Sequence, residues 1–159
     1  MTDDDAPLRV DAGIEGASCW IEATNVGRTT VHVFDSDQMP YLLQDGDGLC
    51  VLQGMHEPPA NSDYWGIEIP LTKPLAPGEV VRGEVGLDPL WVHSHYGTGD
   101  PFVGLAHPTR IRTAVGWGRV PLDDAALASM NVHLVCAEWQ RLAIGPELSL
   151  PTPDDRPPR

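Results

Sequence analysis

The sequence predicts an all-β chain: an antiparallel β-sandwich of seven to nine short strands with one short helix near 124–130, a closed β-barrel being the alternative. Two observations carry this. Apolar residues recur with a period of two in several short runs, the pattern of a half-buried strand. Turn chemistry separates these runs throughout, supplied by 16 Gly and 16 Pro.

Taken in order, residues 1–6 read as a flexible acidic tail. Leu8–Asp11 is a weak first strand. Cys19, Ile21 and Ala23 alternate with Trp20, Glu22 and Thr24, and Asn25-Val26-Gly27 follows as a turn. Val31 and Val33 alternate with His32 and Phe34. Leu49–Gln53 is a short apolar run after the turn Asp45-Gly46-Asp47-Gly48. Residues 55–63 read as a loop, and Trp65, Ile67 and Ile69 alternate with Gly66 and Glu68. Ile111, Thr113, Val115 and Trp117 oppose Arg110, Arg112, Ala114 and Gly116, the cleanest alternation in the chain. Asp123 or Asp124 caps the expected helix, and Asn131 suits its end. Val132–Trp139 is apolar on both faces, as a central strand is, and Leu142–Leu150 is an edge broken at Gly145-Pro146. The domain is expected to span 7–150, with a disordered Pro-rich tail at 151–159. The predicted core includes Ile67, Ile111, Val115, Trp117 and Leu134.

One stretch organises the rest: Leu71–Leu87, a strand end, a Pro-rich turn and an alternating strand, read as a hairpin. Pro74 and Pro77 fix φ, and Gly78 suits the positive-φ position of the turn. Val81, Gly83, Val85 and Leu87 then share one face. The Leu75-Ala76-Pro77-Gly78-Glu79 turn resembles that of bacterial immunoglobulin-like (fibronectin-type) sandwiches, among them intracellular proteinase inhibitors and accessory domains. The resemblance implies a fold and no activity. A bridge between Cys19 and Cys136 would match the antibody-domain pattern it suggests, but three cysteines without a C-x-x-C pair read instead as small buried hydrophobes.

The formal net charge is −13, from 23 acidic and 10 basic residues, and Lys73 is the single lysine. A chain so charged repels nucleic acid and anionic membranes. No apolar run is long enough to span a bilayer, and the acidic N-terminus lacks an apolar signal core, so a cytoplasmic location is expected.

The residues that carry chemistry cluster between Pro89 and Pro108. Trp91-Val92-His93-Ser94-His95-Tyr96 places two imidazoles at i and i+2, and Asp100 and His107 follow. The H-x-H spacing resembles the first metal motif of cupins, but the accompanying Glu and second motif are missing. No metal or other cofactor is therefore expected. Acid–base candidates are His93, His95, Asp100 and Glu68, since His exchanges protons near neutral pH and a carboxylate among tryptophans has a raised pKa. Ligand-binding candidates are the aromatics Trp20, Phe34, Trp65, Trp91, Tyr96 and Trp139, several of which fall on the face opposite the core. A covering loop, 55–63 or 89–108, is the simpler explanation of those aromatics. No nucleophile elbow, phosphate loop, dinucleotide fingerprint or triad signature occurs. Two functions follow as expectations: a non-catalytic sandwich that binds a protein or small apolar ligand, or a small cofactor-free enzyme of the cyclase or isomerase type, of the kind found in secondary metabolism.

Overall fold

The computed structural model describes residues 7–36, 39–45, 48–54, 72–87, 91–93, 99–101, 109–122 and 138–150. The chain is mostly β. Twelve strands form among the described residues: β1 (Leu8–Glu15), β2 (Ser18–Asn25), β3 (Val31–Phe34), β4 (Tyr41–Asp45), β5 (Gly48–Gln53), β6 (Thr72–Leu75), β7 (Val80–Gly86), β8 (Trp91–His93), β9 (Gly99–Pro101), β10 (Arg110–Gly118), β11 (Arg141–Ile144) and β12 (Leu148–Ser149). The expected helix at 124–130, both tails, Ile67 and Leu134 lie outside the described residues.

Among the described residues three sheets result. The smaller of the two main sheets has the order β1-β2-β7, wholly antiparallel. The larger has seven strands, along the path β4-β5-β10-β3-β6, with β11 and β12 also on β10. A separate two-stranded ribbon is formed by β8 and β9. The spine of the larger sheet is β10. Along one edge it pairs with β12 at Arg110–Ile111 and with β11 from Ala114 to Trp117. Along the other it pairs with β5 from Ile111 to Val115 and then with β3 at Trp117 and Gly118. The change of partner gives a curled sheet rather than a flat layer. Gly54 and Gly116 meet backbone to backbone where β5 leaves β10, since a Cβ on Gly54 would lie 3.2 Å from the Gly116 nitrogen.

The period-two pattern builds the core. In β2, Cys19, Ile21 and Ala23 are buried, and in β10 so are Ile111, Thr113, Val115 and Trp117. The apolar ones meet in one cluster with Val31, Val33, Leu42, Leu49, Val51, Leu75 and Val81, so the inner faces of the two main sheets pack on each other. Ile111, Val115 and Trp117 are therefore core residues, as their alternation predicts. Cys19 is a free, buried thiol, Cys50 is partly buried, and Cys136 lies outside the described residues.

Four features differ from the sequence reading. The pairing of β5 with β10 is parallel, so the larger sheet is not wholly antiparallel. The turn after Leu75 does not close a hairpin: β6 belongs to the larger sheet and β7 to the smaller, so the chain crosses between them. The turn itself forms as its residues dictate, with Gly78 at φ 87° and the Glu79 N–H donating to the Ala76 carbonyl at 2.9 Å. The stretch read as the long loop 89–108 contains a short antiparallel ladder, His93 opposite Gly99 and Trp91 opposite Pro101. At the end of the expected strand 132–139, Glu138 and Trp139 have helical backbone.

Asn25 ties the crossing in place. Its side chain is buried, and its Nδ2 donates to the Leu75 carbonyl at 2.7 Å and to the Thr29 carbonyl at 2.9 Å. Its Oδ1 accepts from the Gly27 N–H at 2.9 Å, and its backbone bonds Gly78 and Glu79. One side chain thus satisfies backbone groups from the ends of both sheets, which buried polar groups require.

Candidate functional site

The larger sheet is apolar on its second face as well. In β3, β4, β5 and β10 the apolar residues that alternate with the core ones are Phe34, Tyr41, Leu43, Cys50, Leu52 and Ala114, followed by Gly116 and Gly118, and His32 and the exposed Arg110 and Arg112 share this face. Tyr41, Leu52 and Ala114 are buried together, with Leu43 and Cys50 partly buried against them. Phe34 is fully buried and packs with Leu122 and Trp139. Met39 touches both groups, so the two form one continuous surface. A sheet apolar on both faces is central, covered on each side, unlike one whose outer face meets water.

The local sequence explains how this face is shaped. Ala114, Gly116 and Gly118 leave β10 without bulk on this side. A Cβ on Gly118 would collide with the Trp139 indole, and one on Gly116 with Gln140, so both side chains lie on bare backbone. Trp139 meets Phe34 edge to face, with centroids 5.2 Å apart at 74°, and its Nε1 donates to the Val120 carbonyl at 2.8 Å. The Tyr41 hydroxyl donates to the Gly54 carbonyl at 2.5 Å. These two bonds satisfy the polar ends of the aromatic side chains, whose rings pack into the two clusters of this face. The ribbon strand β8 lies beside β4 at the edge of this region.

The predicted ligand-binding aromatics are thus divided. Phe34 and Trp139 come together. Trp20 lies on the outer face of the smaller sheet, with the core between it and them. There its ring covers Gly13, where a Cβ would approach to 2.8 Å, and the Arg82 guanidinium sits 4.9 Å from the ring centroid. Arg82 in turn approaches Glu22 at 3.6 Å, so Trp20 belongs to a cross-strand surface set. Trp91 starts β8, while Trp65 and Tyr96 lie outside the described residues. Of the acid–base candidates, His93 ends β8 and Asp100 is the middle residue of β9. The register sets Asp100 opposite Val92, so the two share the ribbon but not a rung. His95 and Glu68 lie outside the described residues.

Among the described residues no three His, Cys, Asp or Glu side chains converge, and the two clusters of this face are made of apolar and aromatic side chains. The resolved pKa shift is elsewhere: burial in the inter-sheet core pushes the Cys19 thiol up to about 11. The chemistry this face offers is therefore apolar and aromatic contact. Sequence reasoning missed Tyr41, Leu52 and Ala114. The signal was present in Ala114-x-Gly116-x-Gly118, three small residues alternating with core positions, which mark a strand over which something else packs. No protein-family model, curated protein or solved structure matches the chain.

Proposed function

We propose that the protein is a non-catalytic β-sandwich that binds a small apolar ligand on the second face of its larger sheet. The observation that carries this reading is the continuous apolar surface from Phe34 and Trp139 through Met39 to Tyr41, Leu52 and Ala114, on the side away from the inter-sheet core. Ligand sites are typically apolar and aromatic, with a few fixed polar groups. The packed sheets and the Leu-x-Pro-Gly-Glu crossing between them support an immunoglobulin-like sandwich as the scaffold. The free thiol of Cys19 supports a reducing, cytoplasmic setting.

The test uses a neutral apolar dye, Nile red, whose emission rises on leaving water. The wild-type chain is expected to bind it saturably. Ala114→Trp, which fills the face, abolishes binding, while Trp20→Ala on the smaller sheet leaves it unchanged. Equal binding by a folded Ala114→Trp protein sinks the reading. The cofactor-free enzyme is the second reading, favoured by one observation: a single ribbon beside β4 carries both His93 and Asp100. It requires that His93→Ala or Asp100→Asn abolish turnover of a substrate that the wild type converts.

A further inference from the structure

We propose that Arg119, Arg141 and Trp117 form a binding site for a small oxyanion, a carboxylate or phosphate group, over the margin of the inter-sheet core at the end of β10. This site is independent of the apolar face, because it lies on the core side of the larger sheet.

The register brings the three residues together. Arg141 of β11 stands directly opposite Trp117 of β10, and directly opposed residues of an antiparallel pair share a face. Arg119 lies in the bend just past the end of β10, and its guanidinium comes back over the same indole. The guanidinium carbons lie 5.3 Å and 5.7 Å from the centroid of the one indole. Trp117 is only 3% exposed, whereas both arginines are exposed. The arginine stems thus roof the end of the core and keep their charged heads in water.

Roofing the indole is the plain explanation, and it does not account for two features. The first is charge. Acidic residues outnumber basic ones by 23 to 10, and Lys73, Arg82 and Arg110 each approach a carboxylate. Among the described residues neither Arg119 nor Arg141 has such a partner. Two like charges gathered near one ring repel, and a bound anion lowers that cost. The second is donor geometry. Each guanidinium lies within 6 Å of the ring centroid and carries its N–H donors in one plane. Two such forks present the bidentate pattern that carboxylates and phosphates accept. Against a net charge of −13, two guanidinium groups gathered at one ring make a local positive patch that favours an anion.

The experiment follows the arginine Nε–H and tryptophan indole N–H signals by ¹⁵N-correlated NMR. Inorganic phosphate and, separately, succinate are titrated against chloride at constant ionic strength. Saturable shifts are expected at Arg119, Arg141 and Trp117, with no saturating change at Arg9. Saturation by phosphate alone assigns a phosphoryl ligand, and saturation by succinate alone a carboxylate. Arg119→Gln and Arg141→Gln each weaken the binding by about tenfold or more, and Arg141→Lys by less, because it keeps the charge but loses the fork. The variant spectra also report whether the fold is intact. Shifts that stay linear for both anions, that appear equally at Arg9, or that survive unchanged in both Gln variants overturn the proposal.

Discussion

Replacing Asn25 tests the link between the two sheets at a single side chain. Asn25→Ala removes both donations from Nδ2, to Leu75 and Thr29, and the acceptor of the Gly27 N–H, while the backbone bonds to Gly78 and Glu79 stay. Leaving a buried polar group unpaired costs roughly 1–3 kcal/mol, and the Leu75 carbonyl bond is fully buried whereas the other two are partly so. The expected loss is therefore about 3 kcal/mol. With a urea m-value of about 1.5–2 kcal/mol/M, the unfolding midpoint falls by roughly 1.5–2 M at unchanged m. Asn25→Asp sharpens the test. Its carboxylate would face two carbonyl oxygens, which raises its folded pKa above the unfolded one of about 3.9. A raised folded pKa means stability is fullest below the unfolded value and is lost as pH rises. Asn25→Asp is therefore closest to wild type near pH 4 and falls below Asn25→Ala near pH 7. A loss under about 1 kcal/mol for Asn25→Ala, or pH-independence of Asn25→Asp relative to it, refutes the reasoning.

Three further outcomes are expected. Gly118→Ala forces the Trp139 indole off Phe34, so near-ultraviolet circular dichroism loses aromatic signal and stability falls by about 1–3 kcal/mol. With its thiol held up to about 11 by burial, Cys19 contributes stability that is full below the ordinary value of 9.0 and lost as pH rises to about 11. Cys19→Ser removes that decline, and in native wild-type protein Cys50 reacts with a thiol reagent before Cys19. Thr113→Val leaves the Pro146 carbonyl without the 2.7 Å hydrogen bond from Thr113, lowering the urea midpoint by an amount equivalent to about 1–2 kcal/mol.

What was legible in the sequence was local. The alternation of Ile111, Thr113, Val115 and Trp117 names one face of β10 because side-chain direction in a strand has a period of two. Cys19, Ile21 and Ala23 do the same for β2, and Gly78 takes the positive φ its turn requires. Sheet membership was not legible. Pro74, Pro77 and Gly78 specify a turn, but whether the next strand pairs with its predecessor depends on partners far along the chain. In this case β7 finds β2, and β6 finds β3. The parallel pairing of β5 with β10 is equally non-local. The second apolar face was half legible: Phe34 stood out against Val31 and Val33, but Tyr41 and Leu43 sit in a run without polar alternation. The ribbon of β8 and β9 escaped because three-residue strands are too short to show a period.

The central claim, that the second face of the larger sheet is the ligand surface, is tested most directly by hydrogen–deuterium exchange with and without saturating Nile red. Binding on that face slows exchange in 41–45, 48–54 and 114–118, and leaves 18–25 and 80–86 as they were. Protection appearing in 18–25 or 80–86 instead, or none anywhere at saturation, contradicts it.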